Sequence, residues 1–184
     1  MKKIFFGAFV LLFFIACNNK EEENTTSANS TSTATAETKK TADELLSMSE
    51  TEGVKNSLTA FSKGDLDGMT ADYADTCFML WSSMDSLRGK NAIKSYYAGR
   101  WKMIDSITYS DHILVPLKMN VQQSMFAPTG KWVLAWSFAH VKYKNGKRLD
   151  LWVHNVYHYN SANKIDFVGQ YLDRHPIMEA TKGM

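Results

Sequence analysis

Two cysteines, three prolines and no real excess of either charge are the scarcities that bound this 184-residue chain. Two cysteines supply at most one disulfide, so neither a disulfide scaffold nor a thiolate zinc cluster holds the fold. Twenty-one basic against 19 acidic side chains leave a formal charge of +2, without the basic face that nucleic-acid binders carry. The one long apolar run, residues 4–15, falls short of the ~20 residues a spanning helix needs. Aromatic bulk, by contrast, is plentiful: ten Phe, eight Tyr and five Trp exclude wholesale disorder, and the length favours one domain.

The composition is unevenly placed. Lys2 and Lys3 precede the apolar run, which stops at Ala16-Cys17, the pattern of a secretory signal over residues 1–16. Every face of the run is apolar, so it carries no helical stripe. Phe14-Ile15-Ala16-Cys17 resembles the lipobox of bacterial lipoproteins, with Phe where Leu is usual. The resemblance implies cleavage before Cys17, which becomes the lipidated N-terminal residue; its acyl chains exceed what stable anchoring needs. A chance cysteine after a signal peptide is the alternative. Asn18-Asn19-Lys20-Glu21-Glu22-Glu23 resembles the acidic export tag of surface lipoproteins of the Bacteroidetes, although a solvated charge run reads the same. The expected location is the outer membrane, with the domain facing the periplasm or the cell exterior. Residues 17–42 hold Thr, Ser, Ala, Asn, Glu and Lys with no aromatic, a composition that cannot offset the entropy of ordering. They form a tether whose r.m.s. reach is roughly 25–30 Å. Removing Lys2 and Lys3 with the signal leaves the mature chain neutral.

Residues 43–184 read as one α+β domain. Asp43 or Ser49 can cap a helix carrying Leu45, Leu46, Met48, Val54, Leu58 and Phe61, closed by Lys63-Gly64. Asp65 caps a short second helix with Leu66, Met69 and Tyr73 on one side. Residues 77–81 read as a buried strand, and Ile93, Tyr96, Tyr97 and Trp101 mark a third helix after Arg88-Gly89. From Ile107 onward the pattern is of strands, the first bent or at an edge because of Pro116, the last over 164–172. Asn145-Gly146 between two strand patterns predicts a two-residue hairpin turn. That turn sets Trp132 opposite Tyr159, Trp136 opposite Asn155 and His140 opposite Leu151. Both faces of the hairpin are too apolar for either to meet water, so one packs on helices and the other on a partner, most economically a second copy.

Lys63-Gly64-Asp65-Leu66-Asp67, Tyr73-Ala74-Asp75, the run from Leu87 to Ile93, and Asn163-Lys164-Ile165, in this order, resemble the NTF2-like superfamily. That group includes ketosteroid isomerase and the SnoaL-like polyketide cyclases. The resemblance spans residues 45–175. It implies a cone-shaped domain, three N-terminal helices packed on a strongly curved, mostly antiparallel sheet around an apolar pocket, dimerising through the outer sheet face. Carried over position by position, the isomerase base falls on Trp81, the oxyanion-hole tyrosine near Ser57 and the protonated aspartate on Asn155. An indole accepts no proton, so ketosteroid isomerase activity is not expected.

Asn155 thereby inherits an inward position, which assigns to the pocket the hairpin face of Trp136, His140 and Tyr157, with Trp81, Tyr97, Trp101 and Gln170 from other elements. Three functions follow: binding of a small apolar or aromatic ligand without catalysis; a SnoaL-like isomerase, cyclase or hydratase using His140 as general base with Asn155 and Tyr97 as donors; or a surface protein-interaction module. Dimerisation is expected through Trp152, His154 and Val156. No cofactor is expected. No metal is expected either, because His154 and His158 are four apart on a strand, roughly 13 Å, and His140 is placed on the opposite face. Cys77, in an apolar strand, reads as an inert buried thiol.

Overall fold

In the computed structural model, which describes residues 44–45 and 49–184, one seven-stranded sheet carries the chain. The signal, Cys17, the tether, Asp43, Leu46 and Met48 lie outside the described residues. The chain enters with β1 (Glu44–Leu45), a two-residue strand paired with Leu117 and Lys118, so Leu45 belongs to the sheet rather than to the first helix. Backbone pairing along a strand edge outweighs the helical spacing that Leu45 shares with its neighbours. Helix α1 (Ser49–Ser62) buries Val54, Leu58 and Phe61, a stripe at helical spacing. Asp65 then caps α2 (Leu66–Met69), its Oδ1 accepting the Gly68 N–H at 2.8 Å. Tyr73 begins β2 (Tyr73–Trp81) instead of extending α2, and β3 (Ser86–Arg88) returns antiparallel beside it. Helix α3 (Lys90–Trp101) buries Ile93 completely.

Three long strands follow: β4 (Ile104–Met119), β5 (Gly130–Tyr143) and β6 (Arg148–Tyr159). The irregularity expected of the first falls at a bulge between Ser110 and Ile113, where Asp111 takes φ +49°, while Pro116 lies next to the short β1 pairing. Strand β7 (Ile165–Tyr171) and helix α4 (His175–Thr181) finish the chain. The sheet order is β1-β4-β5-β6-β7-β2-β3, antiparallel throughout except where β2 runs parallel to β7. The class is therefore α+β with a mostly antiparallel sheet, as expected.

The β5–β6 hairpin departs from expectation by one residue. Lys142 pairs with Arg148 and the Tyr143 N–H donates to the Lys147 carbonyl, so the loop is Lys144-Asn145-Gly146. Gly146 takes φ +85°, the left-handed position that closes a three-residue loop. A single-residue shift exchanges the two faces of one strand relative to the other. Trp132 is opposite His158, Trp136 opposite His154 and His140 opposite Asp150, while Ala135 is the neighbour of Asn155. Hence Val133, Ala135, Ser137, Ala139, Val141 and Tyr143 are the buried side of β5, with Val153, Asn155 and Tyr157 from β6.

Candidate functional site

An aromatic cavity of about 110 Å³ lies between the inner sheet face and the helices. Phe61, Tyr96 and Tyr97 border it from α1 and α3, Trp81 from β2 and Tyr109 from β4. Ala139, Val141 and Tyr143 form its floor, and Ile177 and Met178 of α4 close one side. A smaller lobe of about 50 Å³ reaches Ser57, Tyr73, Asn155 and Tyr157, and shares Tyr97, Tyr109 and Gln170 with the first.

The polar groups form a directed row. The Trp81 indole N–H donates to Gln170 Oε1 at 2.7 Å, and Gln170 Nε2 donates to Asn155 Oδ1 at 3.0 Å. Each amide oxygen thus accepts one hydrogen bond from within the protein. Burial pushes the phenols of Tyr97, Tyr109 and Tyr157 up, so they stay neutral donors at pH 7. Burial raises Tyr143 too, with the Arg100 guanidinium beside it pulling the other way. No Asp, Glu or His among the described residues lines either lobe; the charges there are those of Arg100 and Arg174. Arg174 reaches over the Trp81 ring, 5.9 Å from its centroid, and pairs with Asp85 Oδ2 at 2.7 Å.

No family model and no curated protein matches the chain. Solved structures do. A polyketide cyclase candidate from Xanthomonas campestris is 17% identical over 72% of this chain and 96% of its own, with a TM-score of 0.57. An NTF2-like protein of unknown function from Burkholderia pseudomallei is 14% identical over 73% and 98%, at 0.56. A Catenulispora acidiphila protein with a ketosteroid isomerase-like fold, in complex with trimethylamine, is 10% identical over 71% and 92%, at 0.52. The fold is NTF2-like. Identities this low carry the fold and leave the chemistry to the site itself.

In this NTF2-like frame, the three positions that the resemblance assigned to isomerase chemistry hold an indole, a hydroxyl and an amide. Trp81 and Asn155 belong to the row just described, and Ser57 Oγ donates to the Met69 carbonyl at 2.7 Å. Of the expected pocket residues, Trp81, Tyr97 and Gln170 line the larger lobe, and Asn155 and Tyr157 the smaller. Trp101 stands behind the cavity wall, edge-on to Phe61 at 5.7 Å. Trp136 and His140 are corrections: the one-residue shift puts both on the outer sheet face. Trp136 stacks on His154 at 4.2 Å, and His140 is exposed. His140, His154 and His158 therefore share one face, contrary to the expected separation. Tyr96, Arg100, Tyr109, Tyr143 and α4 went unrecognised as wall. A three-residue turn assumed at Lys144-Asn145-Gly146 would have recovered Val141 and Tyr143; nothing local marks α4 or the far side of β4.

His140 Nδ1 meets Asp150 Oδ1 at 2.9 Å, and its Nε2 meets Ser110 Oγ at 3.2 Å. This is the hydrogen-bond order of a nucleophilic triad. It lies on an open surface, and the Ser110 hydroxyl donates to Asp111 at 2.7 Å. A carboxylate there opposes the oxyanion that acyl transfer must form. Elsewhere on the outer face, Trp152 packs on Phe138 at 5.3 Å, and His154 lies between Trp136 and Tyr171 with its Nε2 unpartnered. Desolvation lowers the His154 pKa. Gly130 is required beside this face, because a Cβ there would come within 2.7 Å of His158 Nε2.

Proposed function

We propose that this chain is an outer-membrane lipoprotein, anchored at Cys17 by a tether over 17–42, whose cone-shaped NTF2-like domain binds a small apolar or aromatic ligand without transforming it. One observation carries the reading: an aromatic cavity with donors on its walls and, among the described residues, no carboxylate or imidazole there. Such a site can hold and orient a ligand, whereas isomerisation, cyclisation or hydration needs a group that takes a proton near neutrality. Burial has moved the available phenols away from that range. The outer face, rich in aromatic side chains around Trp152, His154 and Val156, is read as the contact between two copies, an arrangement that leaves each cavity intact.

Ala139 is 1% exposed and borders the cavity, so Ala139→Leu fills part of it at a cost of roughly 1–3 kcal/mol. Native mass spectrometry of the protein isolated from its own membrane should show a non-covalent adduct. Ala139→Leu should lose it, and the released ligand should be chemically unchanged after incubation with fresh protein. A wild-type spectrum without adduct, or an adduct that Ala139→Leu retains, refutes the reading.

A further inference from the structure

Arg100 is half-buried at the C-terminal end of α3 and borders the cavity beside the Tyr143 phenol. No carboxylate among the described residues lies within ion-pair distance of it, in contrast to Arg174, whose charge Asp85 offsets. A guanidinium that is partly desolvated and without a counter-charge is a costly arrangement unless a ligand completes it. The rest of the wall has the same bias. The oxygens of Gln170 and Asn155 each already accept from an internal donor, and the Tyr97 hydroxyl donates to Met79 Sδ at 3.9 Å, while the Tyr109 phenol has a hydrogen to give. The cavity thus presents donors and one free positive charge, and a carboxylate is the organic group that only accepts.

Resting on the binding reading above, we propose that the ligand is a small organic carboxylate whose acid group sits on Arg100 and whose ring or short chain lies among Trp81, Tyr96 and Phe61. Its size is limited by the 110 Å³ available, which is smaller than the roughly 150 Å³ cavity that holds one benzene ring, so no more than a single ring or short chain is enclosed. An amine of equal size meets Arg100 with no acid to receive it.

Benzoate, benzamide and benzylamine test this, titrated by isothermal calorimetry into the full chain carrying Cys17→Ser, which keeps acyl chains and detergent from the cavity. Benzoate should bind at least tenfold more tightly than benzamide, as a charge-assisted pair requires, and benzylamine should not bind. Arg100→Gln should remove the preference of benzoate over benzamide, and an unchanged near-UV circular dichroism spectrum and urea midpoint would show the fold and cavity intact. Equal affinity for benzoate and benzamide, tighter binding of benzylamine, or a benzoate preference that survives Arg100→Gln overturns the anion assignment and leaves a neutral-ligand site. If none of the three binds the wild-type chain, the cavity reading falls with it.

Discussion

Gln170→Leu isolates what the polar row contributes. Gln170 accepts from Trp81 and donates to Asn155, and those two partners are only 5% and 7% exposed. Leucine fills much of the glutamine volume but leaves one buried donor and one buried acceptor without partners. Each orphaned group costs about 1–3 kcal/mol. The adjoining cavity of about 110 Å³ admits water, which needs only ~10–15 Å³ per molecule, so the lower end applies and the expected loss is about 2 kcal/mol. For a folded part of this size that corresponds to a Tm lower by roughly 6–8 °C. Urea unfolding followed by tryptophan emission gives the free energy, and Asn155→Leu with the double variant completes a cycle. Of the groups in this row, removing both amides leaves only the Trp81 donor orphaned, so the double variant should cost about 2 kcal/mol less than the two singles added. A Gln170→Leu cost below about 0.5 kcal/mol, or strict additivity, would refute the reasoning. Either result means that water already solvates the amides and that the donor bias of the cavity is not built in.

Two further outcomes concern the outer face. His154 is disfavoured as a cation in the folded state by desolvation, whereas in the unfolded chain it takes a proton near its ordinary value of 6.5. Its contribution to stability is therefore fully present above pH 6.5 and is lost as the pH falls from there through the lowered folded-state value. His154→Phe keeps the stack on Trp136 and should flatten the change in urea midpoint between pH 7.5 and 5; equal slopes for both proteins reject that role. Trp152, 49% exposed, packs on Phe138 on the outer face. If two copies meet there, sedimentation should show a dimer whose Kd rises at least about 30-fold in Trp152→Glu, and a monomeric wild type removes the pairing.

Local sequence and tertiary structure divide the determination of this protein along a physical line. Features set by near neighbours were legible directly. The stripe of Val54, Leu58 and Phe61 makes α1, Asp65 caps α2, and the β4–β7 strands follow their apolar patterns. The inward position of Asn155, inferred by resemblance, matches its burial. What failed depended on one residue of loop. Asn-Gly serves a two-residue turn and a three-residue loop alike, because in both Gly146 supplies the left-handed conformation, yet the choice moves Trp136 and His140 from the cavity to the surface. The tertiary packing decides it: Val133, Ala135, Ala139 and Val141 are buried, whereas Trp136 and Phe138 lie on the other face of β5. Leu45 was claimed by β4, an element more than 70 residues away, and α4 acquires its place by closing the cavity. The sequence by itself determined an aromatic-rich α+β fold with a mostly antiparallel sheet. The tertiary structure decided which aromatics enclose a cavity, because strand register and the approach of Arg100 are set by contacts that no local pattern encodes.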